Sequence, residues 1–289
     1  MAVIQGPYRL LLVYGALSLA TVGLGCVICA LADVPAALWV RNLIAWGVVL
    51  AAALGLAAFA GKRTATVLLG LSAVLVAASL FGPAQQGVHR WLALGPLSIN
   101  LALLMLPMAV VALDWTRERA TSWGLAFTIL GLLVLQPDAS QATALAGAMA
   151  LIALTTRRSA PVRLGLVTVA AGLAAFSWLR PDPLAPVPEV EEIVALAWSI
   201  TPVLAVAAVV LIVATSLAPM LGTRLAGARP FGIAVPLSAY VLLTAGMTLF
   251  GAFPMPLLGI GMSPIVGFWL GVGLLAAEVR PAPSPASGS

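Results

Sequence analysis

The sequence predicts an all-α fold, a polytopic transmembrane bundle of about ten spans with both termini cytoplasmic, and three observations carry that prediction. Of the 289 residues, 62% are hydrophobic and 8% charged, and the mean hydropathy is +1.13. Soluble domains run at roughly 45–50% apolar and about 25% charged. Apolar stretches of near-spanning length follow one another from Leu10 to Ala277, broken by short knots of charge, proline or glycine, as successive bilayer crossings require. With the N-terminus inside, 11 of the 14 Lys and Arg residues fall in loops on the cytoplasmic side, and Arg41, Arg90 and Arg180 fall outside.

Inside lipid every backbone N–H and C=O has to be satisfied within the chain, and segments rich in Leu, Ala, Val and Gly do this as helices rather than barrel strands. The spans are expected at 10–32, 40–60, 65–82, 97–113, 121–135, 142–156, 164–180, 193–219, 231–252 and 257–277. The first is too long for the apolar stretch of a cleavable leader and is followed by further spans, so it is expected to stay as helix one. The fifth and sixth are short for the roughly 20 residues a hydrocarbon core takes, which points to little tilt or a locally thinned bilayer. No repeat of 20–50 residues recurs, so residues 1–280 read as one membrane domain. Residues 281–289 are rich in Pro, Ser and Ala without apolar periodicity and are expected to form a disordered cytoplasmic tail.

The acidic residues divide the other way. Asp33, Asp138, Asp182, Glu189, Glu191 and Glu192 lie on the outer side, and Asp114, Glu118 and Glu278 on the inner. A pI near 10.0 thus reflects anchoring loops and gives no support to nucleic-acid binding, for which there is neither a soluble basic patch nor interleaved exposed aromatics. Cys26 and Cys29 form a CxxC inside the first span, where small protonated thiols serve helix packing. A single His and no second Cys pair argue against a zinc site.

Four segments open to the outer side: Pro83 to Asn100, Gln136 to Gln141, Pro181 to Glu192, and Phe253 to Pro264. Their motifs, in this order, resemble the SEDS family of shape, elongation, division and sporulation proteins, whose members include FtsW, RodA and SpoVE. The family's Gly-Ala-x-Arg-Trp run is similar to Gly87-Val88-His89-Arg90-Trp91, followed here by Leu94-Gly95-Pro96. Its Gln-Pro-Asp is matched by Gln136-Pro137-Asp138, with Ala142 at the family's alanine. Phe253 to Ser263 looks like an eroded copy of the family's Gly- and Pro-rich segment before its last helix, and Trp39 to Trp46 resembles the start of its second.

The departures are equally specific. The family's Gln-Pro-Ser-Glu and lysine of the fourth helix are replaced by Asn100 to Leu106, and its large outer loop between helices seven and eight is cut to about a dozen residues. That loop ends in the family with Pro-Glu-x-x-x-Asp. Here Pro188-Glu189-Val190-Glu191-Glu192 stands at the place, one residue shorter and with Glu192 as the best positional match for the catalytic aspartate and Glu191 its neighbour.

The resemblance implies a peptidoglycan glycosyltransferase of the bacterial inner membrane, acting on a lipid-linked disaccharide precursor, with a class B penicillin-binding protein transpeptidase as partner. A carboxylate that takes the proton of the attacking sugar hydroxyl is the minimum such a reaction needs, which points to Glu192 and Glu191; the alternative is that they only solvate a helix end. Pyrophosphate calls for a cation, a divalent Mg or Mn or the outer arginines Arg90 and Arg180. The alternative for Arg90 is that it snorkels to headgroups while Trp91 sits in the aromatic belt. Gln136 and Asp138 complete the substrate-binding candidates, although Asp138 is also placed to cap the sixth helix. The rival reading is a non-catalytic partner that keeps the fold; a transporter is disfavoured by the few ionisable residues within the spans.

Overall fold

In the computed structural model the described residues are 6–95, 97–225 and 231–280. The tail expected to be disordered, 281–289, lies outside them. The elements are α1 (Gly6–Leu31), α2 (Ala36–Phe59), α3 (Lys62–Ser79), β1 (Trp91–Leu94), β2 (Leu97–Asn100), α4 (Leu101–Trp115), α5 (Ala120–Leu135), α6 (Ala139–Thr155), α7 (Ala160–Ser177), α8 (Ile193–Ile200), α9 (Pro202–Leu225), α10 (Phe231–Met247) and α11 (Met262–Glu278). The expected all-α membrane bundle is what forms. Five helices, α1, α2, α3, α7 and α9, are long and apolar enough to cross a membrane, and α4, α5, α6, α10 and α11 are shorter apolar helices.

Two expected spans are corrected. Residues 97–100, taken as the start of the fourth span, pair with 91–94 in an antiparallel hairpin, Trp91 opposite Asn100 and Leu94 opposite Leu97. Gly95 makes the turn at φ +59°, a conformation that costs glycine little. Helix α4 starts only after Asn100, whose side chain accepts a hydrogen bond from the Leu103 N–H at 3.0 Å, the usual N-cap role of that residue type.

The span expected over 193–219 is two helices. Pro202 has no N–H to give to a helix and pushes the residue before it out of helical geometry. Thr201 is accordingly extended, and α8 ends there. Glu192, at the start of α8, lines the same cleft as Ile212 and Ser216, which lie about three to four turns into α9. Helix α8 therefore folds back along the first half of α9.

Helix α11 runs through the middle of the bundle, with Phe268, Trp269, Leu274 and Leu275 buried. Trp269 meets Tyr14 of α1 and Trp46 of α2 edge-on, at centroid distances of 5.1 and 5.4 Å. Between α1 and α9 the hydroxyls of Thr21 and Thr215 lie 2.7 Å apart. Cys26 and Cys29 are free and buried within α1.

Small residues let these helices approach closely, because helix association in lipid rests on close packing and interhelical hydrogen bonds rather than on a hydrophobic drive. At Gly267 a Cβ would stand 2.3 Å from the Leu103 carbonyl oxygen and 2.7 Å from that of Leu104. Gly267→Ala should therefore force α11 and α4 apart and cost about 1–3 kcal/mol. Thermal unfolding in detergent checks this against Gly70→Ala, where a Cβ meets nothing within 4 Å and no loss is expected.

Candidate functional site

The end of the bundle expected to face outward, the outer end, is built from the loops between helices. Arg90, placed immediately before β1, is 2% exposed although fully charged. Its Nε donates to the Gln136 carbonyl at 3.3 Å. One Nη donates to the Pro137 carbonyl and, at 2.7 Å, to Oδ2 of Asp182. Oδ2 of Asp138 stands 3.7 Å from Nε. A guanidinium offers five fixed donors, which suits it to collect backbone carbonyls and carboxylates from several segments at once.

Each of those partners is anchored in turn. The Gln136 amide donates to the Val76 carbonyl at 2.7 Å and to Ser79 Oγ at 2.5 Å, at the end of α3. Asp138 caps α6 by accepting from the Gln141 N–H at 3.1 Å, and the Gln141 side chain accepts a hydrogen bond from the Tyr240 hydroxyl of α10. Burial pushes the Asp138 carboxyl above its ordinary range, and Arg90 pulls it back. The cluster ties together α3, the hairpin, the α5–α6 turn, the α7–α8 loop and α10.

The acidic loop is held separately. The Val187 N–H donates to Glu191 Oε2 at 2.8 Å, folding 187–191 on itself. The N–H groups of Met255 and Ile260 donate to the carbonyls of Val190 and Glu189 at 3.1 and 2.9 Å, so the acidic loop lies on the 253–261 segment. That segment is clamped by Asn42 of α2, itself 2% exposed, which donates to the Gly259 carbonyl at 3.0 Å and accepts from the Gly261 N–H at 3.1 Å. A Cβ at Gly259 would stand 2.3 Å from the Val190 carbonyl oxygen, so the two loops approach this closely only because residue 259 is glycine.

Glu191 and Glu192 stand at the mouth of a 590 Å³ cleft between α8, α9 and α10, walled by Val194, Ile212, Leu242 and Met255. Trp198 and Val213 at its edge are exposed on the bundle surface, so the cleft opens sideways. Burial pushes the Glu191 carboxyl above its ordinary range, Glu189 and Glu192 add to this, and the Val187 N–H opposes it. Glu192 is exposed and begins α8 without a side-chain capping bond.

The structure thus brings Arg90, Gln136 and Asp138 into one cluster, and Glu191 and Glu192 into one cleft. Neither Arg90 nor Asp138 lines that cleft. Arg180 is exposed just ahead of Asp182, and Trp91 is half-buried in β1. Among the described residues no three of His, Cys, Asp and Glu converge in a metal-holding group. Two residues that organise the site were not singled out from sequence. The signal for Asp182 was an acid fixed between two prolines beside Arg180, and that for Asn42 was a lone amide inside an apolar span.

Removing one partner from a buried ion pair leaves the other charge uncompensated. Arg90→Ala should cost about 3–5 kcal/mol, part of it recovered by adding Asp138→Asn, as read by thermal unfolding of the two variants. For Glu191 the folded chain holds the proton more tightly than the unfolded chain, so its contribution to stability is present below its ordinary value of 4.5 and is lost as pH rises through the raised value. Glu191→Gln should flatten that decline in an unfolding series run upward in pH from the ordinary carboxylate range.

No family model and no curated protein matches the chain. Solved structures do. Against the rod shape determining protein RodA of Thermus thermophilus the TM-score is 0.65 at 22% identity, over 94% of this chain and 95% of that one. Against an aspartate-to-alanine mutant of that RodA it is 0.68 at 22% identity, over 92% and 96%. A chain from a peptidoglycan synthase complex that coordinates polymerization and crosslinking gives 0.63 at 20% identity, over 94% and 97%. The chain therefore has the membrane fold of RodA over nearly its whole length.

Proposed function

We propose that this chain is a SEDS-family glycosyltransferase of the bacterial inner membrane that polymerises a lipid-linked disaccharide precursor of peptidoglycan. One observation carries the reading: two carboxylates stand at the mouth of an apolar cleft that opens sideways from the bundle. A polyprenyl tail needs apolar walls, and a glycosyl transfer needs a base at the water side of them.

In this reading the sugar hydroxyl of one substrate attacks the anomeric carbon of another. The new C–O bond forms as the bond to pyrophosphate oxygen breaks, and Glu192 takes the hydroxyl proton. Glu192 suits this role because its side chain is exposed and carries no capping bond. Glu191, held by the Val187 N–H, positions the loop. Arg180, exposed on the same loop, is placed better than Arg90 to meet the leaving pyrophosphate, because Arg90 is committed to Gln136, Pro137 and Asp182. Among the described residues the carboxylates of the acidic loop do not form a metal-holding group, so a divalent Mg or Mn would enter with the pyrophosphate.

The burial of Arg90 away from the cleft, and a fourth helix that is apolar from Leu101 to Leu113, favour a second reading: a non-catalytic chain that works beside a class B penicillin-binding protein. Purified protein with labelled lipid-linked disaccharide separates the two. Polymer from the wild type, falling about 100-fold or more in Glu192→Gln, supports catalysis; retained polymer in that variant removes Glu192 as the base. Substrate binding without polymer supports the partner role.

A further inference from the structure

A second polar cavity lies at the opposite, arginine-rich end. Here the first residue of α3, Lys62, the α4–α5 turn with Arg117, Glu118 and Arg119, Arg157 after α6, and Glu278 at the end of α11 surround 510 Å³. Arg117 and Ile233 are shared with a recess of 100 Å³ that Asp114 also lines. Asp114 is 2% exposed, and its Oδ1 takes Arg117 Nη1 at 3.1 Å.

Three buried atoms there are left over. Asp114 Oδ2 and Glu278 Oε2 are acceptors without a donor, and Arg117 Nε is a donor without an acceptor. Buried polar groups are nearly always paired, so such a set calls for a ligand that offers both polarities. Asp114 faces the recess and Glu278 the cavity beside it, so acceptor oxygens flank Arg117 on both sides, whereas Lys62, Arg119 and Arg157 outnumber Glu118 at the rim. The site sits where helices end, the level of lipid headgroups.

We propose that this cavity binds a phosphoethanolamine headgroup, its primary ammonium donating to Asp114 and Glu278 and its phosphate accepting from Arg117 Nε and the cationic rim. A quaternary ammonium has no N–H to donate to the recess, and a glycerol headgroup carries no cation. The site is remote from the outer cleft and stands independently of the polymerase reading.

Native mass spectrometry of the full chain in detergent tests this with phosphatidylethanolamine, phosphatidylcholine and phosphatidylglycerol of identical acyl chains. The expected result is about tenfold tighter retention of phosphatidylethanolamine over the other two, the size of one charge-assisted hydrogen bond. Asp114→Asn should bring phosphatidylethanolamine down to the phosphatidylcholine level. Glu278→Gln, at a half-buried position, gives the same readout where the first variant fails to fold, and Lys62→Gln should weaken all three lipids alike. Competition by soluble O-phosphoethanolamine separates headgroup recognition alone, where it displaces the lipid, from a site that needs the acyl chains. Equal retention of the three lipids, a preference for phosphatidylglycerol, or a phosphatidylethanolamine preference that survives both carboxylate variants overturns the proposal.

Discussion

Arg90 brings a full positive charge into a place with 2% exposure, and the order of the outer end depends on that charge being met. Backbone carbonyls of the α5–α6 turn and the carboxylates of Asp138 and Asp182 meet it from two other segments. A guanidinium in this position is costly to bury and more costly to leave half-paired. Each loop therefore has one arrangement that satisfies it, and the hairpin, the turn and the α7–α8 loop are locked as a set.

A second constraint comes from helix length. At 1.5 Å per residue, α1 with 26 residues runs about 39 Å and α4 with 15 about 22 Å, against a hydrocarbon core of roughly 30 Å. The short helices leave irregular backbone near the outer boundary, and such backbone is tolerated only where protein covers and satisfies it. Asn42 does this for the 253–261 segment by accepting from one peptide N–H and donating to one carbonyl. That segment in turn carries the acidic loop, so the carboxylates at the cleft are positioned from α2 through one layer of side-chain and one of backbone hydrogen bonds.

The two ends of the bundle use charge differently. At the outer end the buried charges compensate one another and hold loops in place, leaving Glu192 exposed to solvent at a cleft. At the opposite end the pairing is incomplete on both sides, with acceptor oxygens of Asp114 and Glu278 and a donor nitrogen of Arg117 unmatched. The first arrangement builds a frame round an accessible carboxylate; the second leaves unmatched polar atoms beside an open cavity.

Much of the architecture was legible in the sequence. Hydropathy placed a span over each apolar helix of the described residues except that it merged α8 with α9, and Gln136-Pro137-Asp138 and Arg90 were recognisable as special because ionisable or amide groups sit there at span boundaries. The break at Pro202 was present as a residue but masked by the uninterrupted apolar composition on both sides, which reads alike for one helix or two. The second strand of the hairpin was hidden for the same reason, since the apolar stretch 97–100 reads as the start of a helix until Asn100 is seen to cap α4.

What the sequence determined by itself is which segments leave water and which end gathers the cations, because transfer between solvents is a property of each residue and its near neighbours. Which loop meets which was decided only in three dimensions. Asp182 reaches Arg90 across 92 positions and Asn42 reaches Gly261 across 219, and pairings at such separations follow from the geometry in which a buried charge or peptide group finds its partner.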